Sequence, residues 1–506
     1  MREEVLQRSA RVPKPLKRTE RLQRQPALQE LPAREELVRL FAKYDVQAPR
    51  YTSYPPATLF HTGFTAQDHS THLTSLRGTS GGGGHEQTGG RPEVSLYVHL
   101  PFCDTLCFFC GCTMLISNNR EKIAEYLGYL KREITMVREK LAAKGGPEPV
   151  VVQMHWGGGS PTHLTPDEIR ELGEHLHRQF TFAPDAEVSI EIDPRGLTRE
   201  HVEAMQAVGF DRASIGVQDL APDVQVAINR VQPQEITEQV IGWCRELGLQ
   251  NINLDLIYGL PYQTTESFRA TLEVAHRELR PDRLAIYSFA YVPWIKPHQK
   301  LIPLEIVPPG SHKLALLELA VREMRGAGYE YLGMDHFALP EDTLAQAQRE
   351  GTLHRNFQGY STHAGTDLIA FGISGISRLG NAFAQNVKEL EPYYAAIDAG
   401  LLPTEKGYAL NADDRVREHV IMKLMCDLSL ETAELTHAFG LPSSFEDTFA
   451  GALAALEEPQ RDGLVEIHEG AITVTGVGRY FLRNIAAAFD GYLTGAPAQQ
   501  RYSRTL

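Results

Sequence analysis

Long apolar runs are missing from this 506-residue chain. No stretch of about 18 apolar residues occurs, so a membrane-spanning helix is excluded. Positive charge is also in deficit: 50 Lys and Arg stand against 64 Asp and Glu, a net charge of −14. So acidic a chain is a poor general binder of nucleic acid or of an anionic membrane, and neither is expected as a partner. Cysteine is scarce. Six residues are too few for a disulfide scaffold at this length. The basic N-terminus lacks the apolar stretch of a secretory signal, so a cytoplasmic location is expected. Against these absences, 42% hydrophobic and 23% charged residues place the chain among ordinary globular proteins, long enough for several domains.

Residues 1–34 carry nine Lys or Arg, four Asp or Glu and four prolines, and read as a flexible basic tail. Residues 35–93 form a lead segment. It holds a short amphipathic helix (35–44), the extended stretch Pro49-Arg50-Tyr51-Thr52-Ser53-Tyr54-Pro55, and a glycine-rich loop at 77–92. From residue 94 short β-branched runs recur at 94–100, 150–156, 186–193, 211–217, 250–257 and 283–290. Helical patterns lie between most of them. One has Ile123, Tyr126, Leu127, Leu130, Ile134, Val137 and Leu141 on one face; one opens on Thr165-Pro166; one runs from Thr198 to Gly209. Residues 219–248 are expected to hold a loop and one helix. Strand–helix alternation implies right-handed crossovers and a parallel sheet. Six units are too few for a closed eight-fold barrel, so the expected fold is a partial, open (β/α)6 barrel over 94–390 with extra strands. Within it, 328–338 reads as one strand with its exit loop. Residues 391–506 read as a mostly helical C-terminal domain with a hairpin at 463–476 turning at Glu469-Gly470.

Four of the six cysteines fall in ten residues, Cys103-x3-Cys107-x2-Cys110-x-Cys112. Tetrahedral zinc usually needs a second Cys/His knuckle, which is not apparent. An electron-transfer ferredoxin would need four cysteine ligands and rarely occupies so long a chain. Three thiolates on a four-iron cluster leave one iron open, and an open coordination position is what catalysis needs. The other motifs fall at the C-terminal ends of the expected strands: Gly157-Gly158-Gly159-Ser160, Glu191 and Asp193, Gln218, Asp255 and Ala290. Barrel active sites gather at that face. Three adjacent glycines would let the backbone approach a bound ligand closely. Each residue also has a plainer reading. Glu191 and Asp255 could be structural carboxylates, Arg230 a surface ion pair, His99 and His155 satisfied core histidines, and Cys244 and Cys426 buried inert thiols.

The segment Tyr97-x-His99-x-Pro101-Phe102-Cys103-x3-Cys107-x-Phe109-Cys110-x-Cys112 resembles the radical S-adenosylmethionine (SAM) signature, in the form found in oxygen-independent coproporphyrinogen III oxidases. The likeness runs over about 35–506 and includes PRYTSYP (49–55), HWGGGSPT (155–162), SIEIDPR (189–195), GVQD (216–219), DLIYGLP (255–261), LHRNFQGY (353–360) and QRYSR (500–504). It implies one [4Fe-4S] cluster on Cys103, Cys107 and Cys110, with Cys112 beside the cluster but not ligating it. It implies two SAM molecules, one met by Tyr97, Gly158, Glu191 and Ile376. The other would meet Phe109, Gly159, Ser160, Gln218, Arg230, Asp255 and Ala290, with Phe357 and Gln358 nearby. The implied reaction is anaerobic oxidative decarboxylation of two propionates of coproporphyrinogen III to vinyls, by a monomer using 5′-deoxyadenosyl radicals and an external electron donor and acceptor. Ser160 replaces the usual threonine and keeps its hydroxyl. A radical-SAM-like haem chaperone is the competing expectation, and Cys112 and the C-terminal domain argue against it. An enzyme acting on another tetrapyrrole is a third.

Overall fold

The computed structural model describes residues 34–76 and 91–493, except 144, 146 and 442, together with Tyr502 and Arg504. The expected basic tail before Arg34 and most of the glycine-rich loop lie outside these residues. Six parallel strands form the centre: β1 (Glu93–Leu100), β2 (Val150–Gly158), β3 (Thr181–Ile192), β4 (Arg212–Gln218), β5 (Asn251–Tyr258) and β6 (Arg283–Ser288). They lie side by side in chain order within a twelve-stranded sheet. At the β6 edge β7 (Glu330–Gly333) and β8 (His336–Ala338) add antiparallel. The single strand expected at 328–338 is thus two, because Gly333 and Met334 take positive φ and reverse the chain. At the other edge β9 (Asp367–Phe371) runs parallel to β1, followed by antiparallel β10 (Ile376–Leu379), β11 (Ala382–Asn386) and β12 (Thr404–Ala409).

The central strands alternate. Leu96 and Val98 of β1, Val188 and Ile190 of β3 and Ile252 and Leu254 of β5 are buried under the helices. The intervening residues, such as Ser189, Glu191, Ser214, Asn253 and Asp255, turn a polar face to the barrel interior. At the bottom of that interior Gln153 Nε2 donates to Glu187 at 2.9 Å, and Arg212 pairs with the same carboxylate at 3.2 Å. The lumen is therefore closed at its base by a polar network, which leaves the C-terminal end as the open one.

Helices cover the outer face. In α1 (Arg120–Ala143) the apolar stripe from Ile123 to Val137 is buried as its spacing predicts. α2 (Pro166–Gln179) starts with a capping box, Thr165 with Glu168. α3 (Arg199–Val208) stops at Gly209, with φ 96°. Residues 219–248 hold two helices rather than one, α4 (Pro222–Ala227) and α5 (Gln234–Glu246), broken around Asn229 (φ 53°) and Pro233. Beyond β12 the chain is mostly helical, beginning with α6 (Ala412–Asp427). The expected hairpin is present as Val465–His468 with Ala471–Val474, and Ser429–Glu431 adds a third strand. Among the described residues no helix is long and apolar enough to cross a membrane.

Candidate active site

A cavity of about 440 Å³ opens at the C-terminal ends of the six strands. Cys103, Cys107 and Cys110 line it half-buried, on the loop that leaves β1, and Cys112 is exposed at its rim. The loop is held from several sides. Leu115 N–H donates to the Pro101 carbonyl at 2.7 Å, and Ser117 N–H to that of Cys103 at 3.0 Å. Asn229 Nδ2 donates to the Leu106 carbonyl at 2.8 Å, and Phe108 N–H to that of Ile228 at 3.0 Å. Cys112 N–H points at Cys110 Sγ, 3.4 Å away, and the two thiol side chains are hydrogen-bonded as well, so Cys112 touches the cysteine set through both backbone and side chain. The guanidinium groups of Arg195 and Arg230 lie 3.6 and 3.7 Å from Cys107 Sγ.

The donor set fits an iron–sulfur centre: three cysteines of one loop line the cavity, with guanidinium and amide donors to their sulfurs. Burial, and after it the neighbouring Cys110 and Cys107, push the Cys103 thiol up to about 12. A thiol held that high ionises only beside a strongly cationic centre. No group of His, Cys, Asp or Glu among the described residues converges as the ligands of one metal ion would. Amide and guanidinium donors to sulfur are the surroundings such a cluster takes.

The glycine run is also required by packing within the protein. A Cβ on Gly159 would stand 2.4 Å from the Pro101 carbonyl oxygen and 2.9 Å from that of Phe102. On Gly158, which has φ +118°, it would meet the His99 imidazole at 2.5 Å, and on Gly157 the Glu191 carboxyl carbon at 2.8 Å. Close approach is required here by groups of the protein itself. The glycines let the β2 exit pack on the β1 exit, where Gly159 N–H donates to the Leu100 carbonyl (2.8 Å) and Ser160 N–H to that of Phe102 (2.9 Å). The main chain that carries Cys103 is set by this contact.

Two carboxylates face the cavity from β3 and β5. Burial raises the cost of ionising Glu191, but His155 Nε2 at 3.4 Å and Gly158 N–H at 3.0 Å outweigh it and hold the carboxyl below its usual range. Asp255 has weaker support, from Asn253 at 2.9 Å and Ser214 at 3.4 Å. Burial first, and Glu191 second, push it up to about 7. Two acids that oppose each other's charge favour a ligand that brings a cation or hydroxyl donors between them. Arg230 is no surface ion pair: it is 6% exposed and bonds Asp193 at 3.0 Å and the Gly216 carbonyl at 2.8 Å. Asp193, also bound by Arg195 at 2.7 Å, stays low because the two guanidinium groups overcome its burial. Gln218 sits at φ +67°, just past a bulge in the β4–β5 pairing. Its side chain passes over Gly216, where a Cβ would lie 2.7 Å from its amide nitrogen. A side-chain residue held in that conformation stores strain of about 1 kcal/mol or more, as functional sites often do.

Phe109, Gly158, Gly159, Ser160, Glu191, Gln218, Arg230, Asp255 and Ala290 all line the cavity with the three cysteines. Tyr97 and Ile376 do not. Tyr97 is one layer behind, bonded to His99 Nδ1 at 3.0 Å and stacked on His155. Ile376 is half-buried on β10, opposite Gln385. His99 is a satisfied core histidine, with its other nitrogen 2.9 Å from the Thr113 carbonyl. Cys244 and Cys426 are buried away from the cavity. Sequence reasoning missed the segment that clamps the cysteine loop. Lys296 Nζ donates to the Cys112 carbonyl (2.8 Å), His298 Nε2 to that of Cys110 (2.8 Å) and Gln299 Nε2 to that of Phe109 (3.0 Å). Gln299 also holds the Ala290 carbonyl and the Val292 N–H. No spacing rule marks these side chains, because their partners are backbone carbonyls nearly 190 residues earlier.

Residues 97–275 match the Radical SAM superfamily model, and residues 410–481 match the HemN C-terminal domain. The chain is 41% identical over 477 residues to the oxygen-independent coproporphyrinogen III oxidase of Synechocystis sp., covering 94% of this chain and 99% of that one. It is also 41% identical to the Escherichia coli protein of the same description, over 92% of this chain and 98% of that one. The solved structure of coproporphyrinogen III oxidase (HemN) from Escherichia coli, described as a radical SAM enzyme, superposes with a TM-score of 0.81. That match covers 88% of this chain and all of the other, at 40% identity.

Proposed function

The chain belongs to the oxygen-independent coproporphyrinogen III oxidases of the radical SAM superfamily, and on that premise we propose how its residues divide the work of turning two propionates of coproporphyrinogen III into the vinyls of protoporphyrinogen IX. The observation that carries the reading is the convergence of Cys103, Cys107, Cys110, Glu191, Arg230 and Asp255 on one cavity at the open end of the barrel.

The β-C–H bonds of a propionate are unactivated, so no Glu, His or Lys side chain could remove such a proton at neutral pH. When bound, a [4Fe-4S] cluster and SAM supply hydrogen-atom abstraction in place of acid–base chemistry. Cys103, Cys107 and Cys110 would hold the cluster, and Cys112 would stand beside it. Arg195 and Arg230 offset the negative charge on Cys107. Glu191 and Asp255 offer acceptors for an ammonium group or ribose hydroxyls, with Gly158, Gly159, Ser160, Gln218, Phe109 and Ala290 completing the walls around two SAM molecules. Tyr97 acts from behind Glu191 by fixing His99 and His155, and Ile376 stands at the margin. The barrel wall and the clamp at 296–299 keep water from the reacting carbon.

The catalytic unit is read as 94–390 and the helical unit as 391–506, the two joined where β12 pairs with β11. The working unit is proposed to be a monomer. Free thiols in the cysteine cluster suit the reducing cytoplasm, and electrons are drawn from an external donor and passed to an external acceptor. The test is an anaerobic assay of reconstituted protein with coproporphyrinogen III, SAM and reductant. Two methionines, two 5′-deoxyadenosines and two CO₂ are expected per protoporphyrinogen IX, with a monovinyl tricarboxylic intermediate. Haem binding without any vinyl product would overturn the reading.

A further inference from the structure

A second cavity, of about 550 Å³, adjoins the first. The two share Ser288, Phe289, Ala290 and Val292, the exit of β6. Resting on the function proposed above, we propose that this second chamber is the seat of the substrate's carboxylates that do not react, with Lys313 as a principal anchor.

Charge points to an anion. Among the described residues, Arg50, Lys313, Arg479, Arg483 and Arg504 line the chamber, against Asp45 and Asp335 alone. Five cations facing two acids is the reverse of the balance of a chain with net charge −14. Asp335 pairs with Arg50, and Asp45 with Arg504 at 2.6 Å. Each acid therefore already has a cation, and the set keeps an excess of positive charge over the cavity. Arg483 is 5% exposed and donates to the backbone carbonyls of Pro49 (3.2 Å) and Arg504 (2.8 Å). Buried guanidinium groups are the donors that suit carboxylates best.

Lys313 carries the proposal furthest. It reaches the chamber from the helix Gly310–Gly326. Its ammonium donates to the Phe289 carbonyl at 2.6 Å, at the junction of the two cavities, and makes no ion pair among the described residues. Burial pulls it down to about 8, with Asp45 opposing. The fold makes room for this side chain: a Cβ on Gly259, which has φ +80°, would lie 2.8 Å from Lys313 Cε. A half-buried ammonium with a single hydrogen bond among the described residues, over the Phe289 ring and beside a polar cavity, is completed by an anion.

The substrate chemistry matches. Coproporphyrinogen III bears four propionates, and two survive the reaction. While one propionate presents its β-carbon to the cavity of the cysteines, others must rest where charge is matched. A chamber in direct continuity, 550 Å³ in volume and walled by Tyr258, Tyr331 and Tyr480 as well as the cations, offers both the matching charge and apolar contact for pyrrole rings.

The experiment measures binding of coproporphyrin III, the fluorescent non-reacting tetra-acid, to the anaerobic holoprotein, beside its uncharged tetra-amide. Wild type should bind the tetra-acid more tightly, and added salt should weaken the tetra-acid far more than the tetra-amide. Equal affinities for the two in wild type would overturn the proposal with no variant needed. Lys313→Met should raise the tetra-acid Kd about tenfold to a hundredfold, the loss of one charge-assisted hydrogen bond. It should leave tetra-amide and SAM affinity unchanged, and Lys313→Arg should recover most of the loss. A Lys313→Met protein that stays folded and binds the tetra-acid like wild type also overturns it. Failure of the function proposed above looks different: charge-dependent porphyrin binding with no vinyl product leaves the chamber standing and removes the reaction.

Discussion

Gly159→Ala adds one methyl group, and the structure says where it goes. The new Cβ would lie 2.4 Å from the Pro101 carbonyl oxygen, 2.5 Å from the Pro101 carbonyl carbon and 2.9 Å from the Phe102 oxygen. All three are backbone atoms, so no side chain can swing aside. Relief requires the β2 exit to draw away from the β1 exit. That motion stretches the hydrogen bonds from Gly159 N–H to Leu100 and from Ser160 N–H to Phe102. Overpacking costs about 1–3 kcal/mol and each of the two weakened buried hydrogen bonds about 1 kcal/mol, so the variant should lose about 3–5 kcal/mol. The displaced main chain carries Cys103, so the damage should reach the cluster as well as SAM. Iron and sulfide per chain after anaerobic reconstitution, together with the urea midpoint, measure both effects. Gly111→Ala is the control, since a Cβ there meets nothing within 4 Å; it should reconstitute and unfold like wild type. Full iron content and an unchanged midpoint in Gly159→Ala would refute the packing argument and restore direct ligand approach as the reason for the glycines.

Serine in place of Cys103, Cys107 or Cys110 should abolish cluster assembly, whereas Cys112→Ser, which keeps the backbone N–H to Cys110, should retain it; iron counting and visible absorption check both. Asp255→Asn and Glu191→Gln should each weaken SAM binding by about 1.5–3 kcal/mol, measured by equilibrium dialysis, with iron content unchanged. Glu133 is 2% exposed and accepts hydrogen bonds at 2.7 Å from Gly372 N–H, Tyr393 and Asn386, yet burial still raises its carboxyl from 4.5 to about 7. A raised carboxyl stabilises the fold fully below its unfolded value and loses that contribution as pH climbs to about 7. Stability should therefore fall by on the order of 3 kcal/mol between pH 4.5 and 7 from this group. Urea midpoints across that range should show the slope in wild type and lose it in Glu133→Gln; the same slope in both would assign it elsewhere.

The six central strands, the stripe of α1 and the capped ends of α2 and α3 were legible because each depends on nearest neighbours in sequence: alternation of two, recurrence near 3.6, a threonine before a proline, a glycine at a helix end. The cysteine spacing belongs to the same class, since one short loop presents all three thiols. Polar residues at Glu191, Asp193 and Asp255 could be placed at the open end of the barrel because a parallel strand puts its last residues there. Where sequence reading fell short, the partners were remote. Two helices at 219–248, and two strands at 328–338, depend on single residues taking positive φ. The Lys296–Gln299 clamp meets carbonyls of the cysteine loop, Arg195 meets Cys107, and the glycine run is required by His99 on another strand and Pro101 just past its end. The cation-lined second chamber draws on Arg50, Lys313, Arg483 and Arg504, residues as much as 454 positions apart in sequence that share one wall only after folding. Local periodicity and spacing thus determined which elements form and which chemistry they carry. Long-range packing decided what touches what, because a backbone carbonyl or a cavity wall leaves no mark on the sequence that faces it.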